Sequence, residues 1–417
     1  MTEWPIVRLG DHTDASLGKM LDAQKNRGCF QPYLGNSNVR WGAFDFNDLA
    51  SMRFESHEED RYGLQNGDLV ICEGGEPGRC AIWRNSIPGM KIQKALHRVR
   101  VKVGLDSEYL YYWFLLAGKT GALEGYFTGT TIQHLTGRAL AELKIPCPPI
   151  QWQRSIGGTL ETLDYKIELN RRTNETLEAM AQSIFRDWFV DFGPVRRKLA
   201  GATDPVAIMG GLMPDPARAE ELAGLFPDAL NDEGVPVAWP KRCVTDVATV
   251  TGGKQLDKAE IQDFGPNPVF GGGGVMGFST RSNADDFVIT VGRVGAYCGQ
   301  FFCHRGLAWV NNNASLIRPN AGVSAEWLLL NLRATDIDSI KRGAAQPFVS
   351  NGDVGKIELS GSETVASAFA EIVGPLFLAR EQRDSENRTL AETRDYLLPR
   401  LMSGEVRVLD ANREIAA

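Results

Sequence analysis

Two segments of the chain carry apolar residues at alternating steps of four and three, which is the spacing of a heptad seam on a long helix. The first seam runs from Ile156 to Trp188 and includes Asn170 and Asn174. The second runs from Phe369 to Leu401, with Asn387 and several arginines in its middle. Each segment is predicted to form a helix of about 35 residues, roughly 50 Å long.

Short strings recur in the same order, so the chain is predicted to consist of two related halves. Trp4-Pro5 followed by Gly18-Lys19 corresponds to Trp239-Pro240 followed by Gly253-Lys254. The later pairs are Asp68–Ile71 with Asp286–Ile289, Glu108–Leu110 with Glu326–Leu328, Leu143–Ile145 with Ile357–Leu359, and Asn174–Leu177 with Asn387–Leu390. Each half therefore reads as a mixed α/β globule followed by a long helix.

A segment rich in Pro, Gly, Ala and Asp, residues 193–238, separates the two halves. Such a composition predicts a linker with short helical turns. Phe226-Pro227-Asp228 contains a lone aromatic residue among polar ones, so we expect it to dock against another part of the protein.

Charge is distributed in blocks, although the net charge is −7. Residues 1–150 carry 17 basic and 17 acidic groups, and residues 235–365 carry 12 of each. The acidic excess falls in 151–234 and 366–417. A neutral block can still present a basic face, so the overall charge does not exclude a nucleic-acid ligand.

The composition is that of a globular protein of a reducing compartment. The seven cysteines are scattered, which favours a cytoplasmic location. No apolar run reaches the roughly 18 residues of a membrane span, and Met1–Asp11 lacks an apolar signal core. Cys298, Cys303 and His304 are the nearest approach to a metal cluster, but zinc sites usually show two such pairs, so no metal site is expected.

Four strings follow one another in the order of the chain: Leu143–Pro149 leading to Gln153, Asp187–Pro194, Leu225–Asp228 followed by Val235-Pro236 and Trp239, and Leu397–Gly404. Together they resemble the specificity subunits of type I restriction-modification enzymes. One departure is that Pro148-Pro149 has no counterpart near Ser360-Gly361, so the entry to the second helix is expected to differ.

The resemblance implies an α+β fold. It has two α/β target recognition domains, separated by two long helices that pair as an antiparallel coiled coil, with a pseudo-twofold repeat. The boundaries we predict are 1–149 for the first recognition domain, 150–192 for the first helix, 193–238 for the linker, 239–362 for the second recognition domain, 363–404 for the second helix and 405–417 for a C-terminal tail.

The resemblance also implies partners. In that family each globule reads half of a split double-stranded DNA target, and the helices act as a ruler for the unread spacer and dock two methyltransferase subunits. Motor-nuclease subunits join them and cut DNA with ATP. S-adenosylmethionine, ATP and Mg²⁺ are accordingly expected on the partner subunits, and no cofactor is expected on this chain.

No catalytic residue is predicted. Gly272, Gly274 and Gly277 fit a dinucleotide-binding pattern, but the strand and helix context is missing. The sequence has no P-loop and no Asn/Asp-Pro-Pro-Tyr/Phe string, and its five histidines form no HExxH or triad pattern. A self-contained DNA methyltransferase or nuclease remains one alternative, and an adaptor whose globules bind proteins remains another.

The candidate DNA contacts are polar residues in basic or glycine-led segments, where phosphate and base-edge contacts are expected. The most basic stretch, 88–104, is expected to place Lys91, Gln93 and His97 on one face of a strand, with a solvated strand face as the alternative. The glycine-led loops at Gly129 and Gly343 could equally be simple turns, and the Asn311 run an Asn-rich turn. The full set is Lys19, Arg40, Lys91, Gln93, Lys94, Thr130, Thr131, Gln133, His134, Lys254, Arg293, Asn311, Asn312, Asn313, Lys341, Arg342 and Gln346.

The seam asparagines are expected to fix the register of the helix pair, because a polar residue at such a position selects one alignment at some cost in stability. Antiparallel pairing with Ile156 level with Leu401 places Asn170 opposite Asn387, and Asn174 opposite Arg383.

Overall fold

A computed structural model describes residues 4–22, 26–129, 131–343 and 346–408. The chain divides into two compact units. Unit 1 comprises Met1–Leu169 and Glu386–Ala417, and unit 2 comprises Asn170–Ser385. Both long helices contribute residues to each unit.

Unit 1 is a mixed α/β globule. Its helices are α1 Leu9–His12, α2 Glu59–Tyr62, α3 Ser107–Thr120, α4 Gly137–Glu142 and the first part of α5 Ile150–Phe185. Its strands are β1 Ile6–Arg8, β2 Thr13–Leu17, β3 Cys29–Leu34, β4 Val39–Arg40, β5 Ala43–Phe44, β6 Ala50–Phe54, β7 Leu69–Cys72, β8 Cys80–Ile82, β9 Lys91–Ile92, β10 Leu96–Val101 and β11 Lys144–Pro146.

Unit 2 has the same classes of element. Its helices are α6 Gly193–Leu199, α7 Pro205–Ile208, α8 Pro216–Gly224, α9 Val244–Val247, α10 Ala325–Ala334, α11 Asn351–Gly355 and the first part of α12 Glu363–Ser403. Its strands are β12 Arg242–Cys243, β13 Ala248–Gly252, β14 Asn267–Gly271, β15 Gly274–Ser279, β16 Phe287–Gly292, β17 Phe301–Arg305, β18 Trp309–Val310, β19 Ala314–Pro319 and β20 Glu358–Leu359.

The sheets of the two units have one topology, which confirms the predicted repeat. The antiparallel sheet β2-β10-β7-β8 of unit 1 corresponds to β13-β19-β16-β17 of unit 2. The mixed sheet β6-β3-β9 corresponds to β15-β14-β18, and β9 and β18 are each the parallel partner. The pair β1-β11 corresponds to β12-β20.

The helix that follows each four-stranded sheet is fixed by a side-chain cap. Asp106 accepts a hydrogen bond from the backbone N–H of Tyr109 at the start of α3, and Ser324 does the same for Trp327 at the start of α10. The capped helices pack on the sheet through buried apolar residues, which form the core of each unit. The capping residues place the Glu-Tyr-Leu and Glu-Trp-Leu strings at equivalent positions.

The predicted heptad seam of α5 is buried except at Leu177, which is half-buried. In unit 1, Ile156, Leu160 and Leu163 share a core with Leu397 and Leu401 of α12. The pairing is antiparallel, as expected from the resemblance, because early residues of α5 contact late residues of α12. Apolar contacts hold the helices together at this end of the pair.

Polar side chains join the two helices within unit 2. The amide of Asn174 donates to the carboxylate of Asp384 at 2.8 Å and to the carbonyl oxygen of Arg380 at 3.3 Å. These two acceptors lie on either side of Arg383, the residue predicted to be level with Asn174, although the side chain of Arg383 itself donates to Ala379 on its own helix. The amide nitrogen of Asn174 is therefore satisfied by the partner helix, whereas its buried Oδ1 has no partner among the described residues.

Asn170 is also buried, and Asn387 is half-buried. Their pairing stays a prediction.

The segment between the halves folds against unit 2, through α6, α7 and α8. Phe226 is buried, with its ring centroid 5.2 Å from that of Trp188 and 6.4 Å from that of Trp239. The predicted docking of this lone aromatic is therefore confirmed. Among the helices of the described residues, none combines the length and the apolar character needed to cross a bilayer.

Candidate nucleic-acid interface

Four segments of unit 1 lie side by side where strands β2 and β7 end and β10 begins. Their backbones are hydrogen-bonded in series: Lys19 N–H donates to Ile92 O at 3.1 Å, Glu73 N–H to Ala95 O at 2.8 Å, and Leu135 N–H to Glu73 O at 2.7 Å. We call these segments loop surface 1, and they are residues 18–19, 73–76, 93–95 and, except for Thr130, 128–134.

Unit 2 repeats this arrangement. Lys254 N–H donates to Val310 O at 2.9 Å, Arg293 N–H to Asn313 O at 3.1 Å, and Val349 N–H to Arg293 O at 2.9 Å. We call these segments loop surface 2, and they are residues 253–254, 293–297, 311–313, 342–343 and 346–348. The structure thus brings together, within each unit, most of the candidate residues predicted from sequence.

The recurring Gly-Lys dipeptide has a steric cause. A Cβ atom on Gly18 would lie 2.3 Å from the carbonyl oxygen of Gln93, and one on Gly253 would lie 2.1 Å from that of Asn311. Both distances are far below a van der Waals contact, so only glycine allows the backbone of the neighbouring loop to approach. These contacts show that Gln93 and Asn311 lie at equivalent positions of the two units.

The two glycine-led loops are equivalent hairpins. Thr128 bridges His134 in the first, and Arg342 bridges Phe348 in the second. Gly129 has φ +99° and lies just after Thr128, and Gly343 has φ +81° just after Arg342, so both turns require the left-handed backbone.

The polar residues of these hairpins differ in exposure. Thr131, Gln133 and Gln346 are exposed and His134 is half-buried. Thr130, a predicted contact, and Ala344 and Ala345 lie outside the described residues.

The expectation that 91–99 forms one strand with a solvent-facing basic side is wrong. Strand β9 ends at Ile92 and β10 begins at Leu96, with Ala95 at φ +83° between them. Lys91 is fully buried, and its ammonium lies 2.6 Å and 2.7 Å from the two carboxylate oxygens of Glu59. A cation held in this way is not presented to a phosphate.

Acidic groups from other strands neutralise most of the remaining basic stretch. Arg98 is buried against Asp14 at 2.8 Å, and Arg100 forms a two-pronged pair with Asp68 at 2.7 Å. His97 is buried with Nε2 2.9 Å from the carbonyl oxygen of Leu135, and burial lowers its pKa.

Two side chains of this stretch remain on loop surface 1. Lys94 is exposed, and its ammonium has no partner among the described residues. Gln93 is half-buried beside it.

The prediction that Lys19 contacts DNA is also wrong. Its side chain is 4% exposed and its ammonium contacts Glu58 at 2.5 Å and the carbonyl oxygen of Arg53 at 2.9 Å. A phosphate contact needs an accessible cation, so the structure argues against Lys19. Arg40 is exposed and lies 3.5 Å from Asp45, but it belongs to β4 and not to loop surface 1.

Loop surface 2 keeps more of its predicted donors accessible. Lys254 is exposed, with no side-chain partner among the described residues. Asn312 and Asn313 are exposed, whereas Asn311 is buried and accepts the backbone N–H of Asn312 at 2.8 Å, as in an Asn-rich turn. Of the two interpretations of this run, the Asn-rich turn therefore applies to Asn311.

Two basic residues close to the second hairpin are paired with acids. Lys341 lies 2.6 Å from Asp338, and Arg342 contacts Asp353. Arg342 is nevertheless 60% exposed, so its guanidinium keeps donors directed to solvent.

Apolar side chains on both surfaces were not predicted. Tyr297 is 54% exposed and Phe348 40% exposed on loop surface 2, and Ile132 is 64% exposed on loop surface 1. Such groups can contact the methyl group of thymine or a base step in DNA. These exposed groups could have been predicted from sequence, because each is a large apolar residue within a run of small and polar ones, as in Gly295-Ala296-Tyr297.

The glycines that fit a dinucleotide pattern form a hairpin turn. Gly271 of β14 pairs with Gly274 of β15, and the two strands are antiparallel. A strand followed by a helix is needed to direct backbone N–H groups at a pyrophosphate, and this hairpin does not provide it.

One group of described residues has metal-ligand spacing. The ligand atoms of Glu55, His57 and Glu58 lie within 4.8 Å of one another. Glu58 already accepts from Lys19 and from the backbone N–H of Glu55, and exposed acidic groups often lie together without a metal.

Residues 1–179 match the family model of the type I restriction modification DNA specificity domain. The chain is 27% identical over 336 residues to the specificity subunit of the HindI type I restriction enzyme from Haemophilus influenzae, a match that covers 66% of this chain and 72% of the relative. It is 23% identical over 366 residues to the MjaIX specificity subunit from Methanocaldococcus jannaschii, covering 82% and 78%. The crystal structure of a type I S subunit from M. genitalium superposes with a TM-score of 0.60 at 18% identity, over 95% of this chain and 96% of that one.

Proposed function

Because the chain belongs to the family of type I restriction-modification specificity subunits, we propose that its two loop surfaces each read one half of a bipartite double-stranded DNA target. The observation that carries this proposal is the duplication of the loop surfaces. Each lies at the same end of the same sheet topology, and each is held by the same series of backbone hydrogen bonds.

The chemistry of the surfaces supports DNA reading. Lys94 and Lys254 offer ammonium groups without a protein partner among the described residues, which suits phosphates. Asn312, Asn313 and Gln133 offer exposed amides, which suit base edges. Phosphate contacts position a protein on the duplex, whereas base contacts specify sequence.

In this proposal the chain performs no chemistry itself. It directs adenine methylation by two methyltransferase subunits, which bind S-adenosylmethionine, and ATP-dependent cleavage by motor-nuclease subunits, which use Mg²⁺. The complex acts in the cytoplasm, where its DNA substrate is.

The test is methylation mapping of a genome in cells that co-express this chain with its methyltransferase subunits. Wild type should yield a split target with two specific halves. A chimera in which residues 1–150 come from another family member should change one half only. If both halves change together, the assignment of one half-site to each unit is wrong.

The two alternatives predict other results. A self-contained methyltransferase would bind S-adenosylmethionine without partners, which equilibrium dialysis of the purified chain measures. A protein-binding adaptor would leave the assembled complex without salt-dependent affinity for duplex DNA. Affinity that falls with salt, together with no S-adenosylmethionine binding by the chain alone, would exclude both alternatives.

A further inference from the structure

We infer that Glu73 and Arg293 are matched specificity determinants, with Glu73 accepting a hydrogen bond from the amino group of a cytosine and Arg293 donating to a guanine. This inference rests on the proposed function and deepens it, because it assigns a base class to one named residue of each loop surface.

The two residues hold the same backbone position. Each directly follows the central strand of its four-stranded sheet, β7 for Glu73 and β16 for Arg293. Each donates its backbone N–H to the loop that precedes the neighbouring strand of the sheet: Glu73 to Ala95 O at 2.8 Å, and Arg293 to Asn313 O at 3.1 Å. The carbonyl oxygen of each accepts from the backbone N–H of the residue that follows the hairpin, Leu135 at 2.7 Å in unit 1 and Val349 at 2.9 Å in unit 2. Two backbone hydrogen bonds therefore fix where each side chain starts.

Within the described residues, neither side chain makes a hydrogen bond or a salt bridge, and both are half-buried. The negative charge of Glu73 acts on the buried His97 imidazole and opposes the lowering of its pKa by burial. Glu76, three residues beyond Glu73, shows the contrast, since its two carboxylate oxygens accept from Trp41 at 2.6 Å and from Arg79 at 2.9 Å. Ionisable groups at the centre of a loop surface without such partners are free to bind a ligand.

The sign of each charge selects the ligand. Phosphate groups repel a carboxylate, so Glu73 can contribute to a DNA interface only by facing a hydrogen-bond donor. In the major groove, the cytosine N4 amino group is the donor from which a glutamate accepts a hydrogen bond. A guanidinium has a planar fork of donors that fits the O6 and N7 acceptors of guanine. The two units thus place opposite chemistry at one position and read different bases there.

The experiment uses the assembled complex of this chain with its methyltransferase subunits, after its target has been mapped. Dissociation constants are measured for duplexes in which each target base pair is replaced singly. With the wild-type complex, replacing one particular guanine in the half-site of unit 2 should raise the dissociation constant about 5- to 150-fold, which is the range for one good bidentate contact. With Arg293→Ala that penalty should vanish at this position and persist at the others.

Glu73→Gln makes the converse prediction for unit 1. One cytosine should lose its discrimination, and adenine should become tolerated at that position, because glutamine pairs with adenine. Arg293→Lys keeps the charge but not the planar fork, so it should weaken guanine discrimination and retain the salt dependence of binding. This variant also covers the case in which Arg293→Ala does not fold.

The matched controls are Arg318→Ala, an exposed arginine of β19 that donates to the carbonyl oxygen of Asn283, and the exposed Glu124→Gln. Both should keep every base preference. If the wild-type complex has a target but Arg293→Lys and Glu73→Gln keep all its base preferences, this inference is overturned and the proposed function stands. If the wild-type complex has no sequence target, the proposed function itself fails.

Discussion

Two lysines three positions apart, Lys91 and Lys94, should affect different properties when they are removed. Lys91 is 1% exposed and bound to Glu59, whereas Lys94 is exposed on loop surface 1. Lys94→Ala should therefore weaken DNA binding in a salt-dependent way, and Lys91→Ala should weaken the fold.

The magnitudes follow from these environments. One lost phosphate contact reduces the slope of log affinity against log salt by about 0.9. The affinity ratio of wild type to Lys94→Ala should then shrink about threefold to fourfold between about 50 and 200 mM salt. Lys91→Ala removes a charge-assisted pair worth about 1.5–3 kcal/mol. For a unit of roughly 200 residues this lowers the unfolding temperature by about 3–12 °C.

The assay is fluorescence anisotropy of a target duplex with the assembled complex at a series of salt concentrations, combined with thermal unfolding of each variant. Lys91→Met is the matched control, because it removes the charge and keeps most of the volume. Glu59 is 56% exposed and can be rehydrated, so this variant should lose less stability than Lys91→Ala. Equal losses of salt slope in Lys91→Met and Lys94→Ala would refute the distinction between a buried and a phosphate-binding lysine.

Three further changes test the packing of the units. Gly253→Ala places a methyl group 2.1 Å from Asn311 O, so it should cost about 1–3 kcal/mol and weaken target binding, and normal unfolding and binding would contradict the close approach. Asn174→Ala leaves Asp384 without its amide donor and should lower the free energy of unfolding by about 1–3 kcal/mol in denaturant titration, whereas an unchanged midpoint would remove its role in the helix pair. Because burial lowers the pKa of His97, its contribution to stability is present above the ordinary histidine pKa and is lost as pH falls through the lower folded value. The unfolding temperature of His97→Gln should therefore fall less steeply than that of wild type from about pH 7.5 to about pH 5, and parallel profiles would contradict this.

The sequence by itself determined the repeat, the two long helices and the docking of Phe226. Heptad spacing is a local property of the chain, and burial of the apolar stripe stabilises the same helix in any packing that covers it. Gly18 and Gly253 were visible as a repeated dipeptide for a related reason, since a position that excludes a side chain tolerates only glycine. These patterns need no knowledge of distant neighbours.

Only the tertiary structure decided which charged groups remain free. The stretch from Lys91 to Arg100 is basic in sequence, yet Glu59, Asp14 and Asp68 reach it from other elements and neutralise three of its cations. Conversely, Arg293 was a candidate from sequence but Glu73 was not, and their equivalence becomes visible only when the backbone hydrogen bonds of the two sheets are compared. Coulomb and hydrogen-bond partners are set by distance in space, and the acids that pair with the basic stretch lie 32 to 84 positions away along the chain.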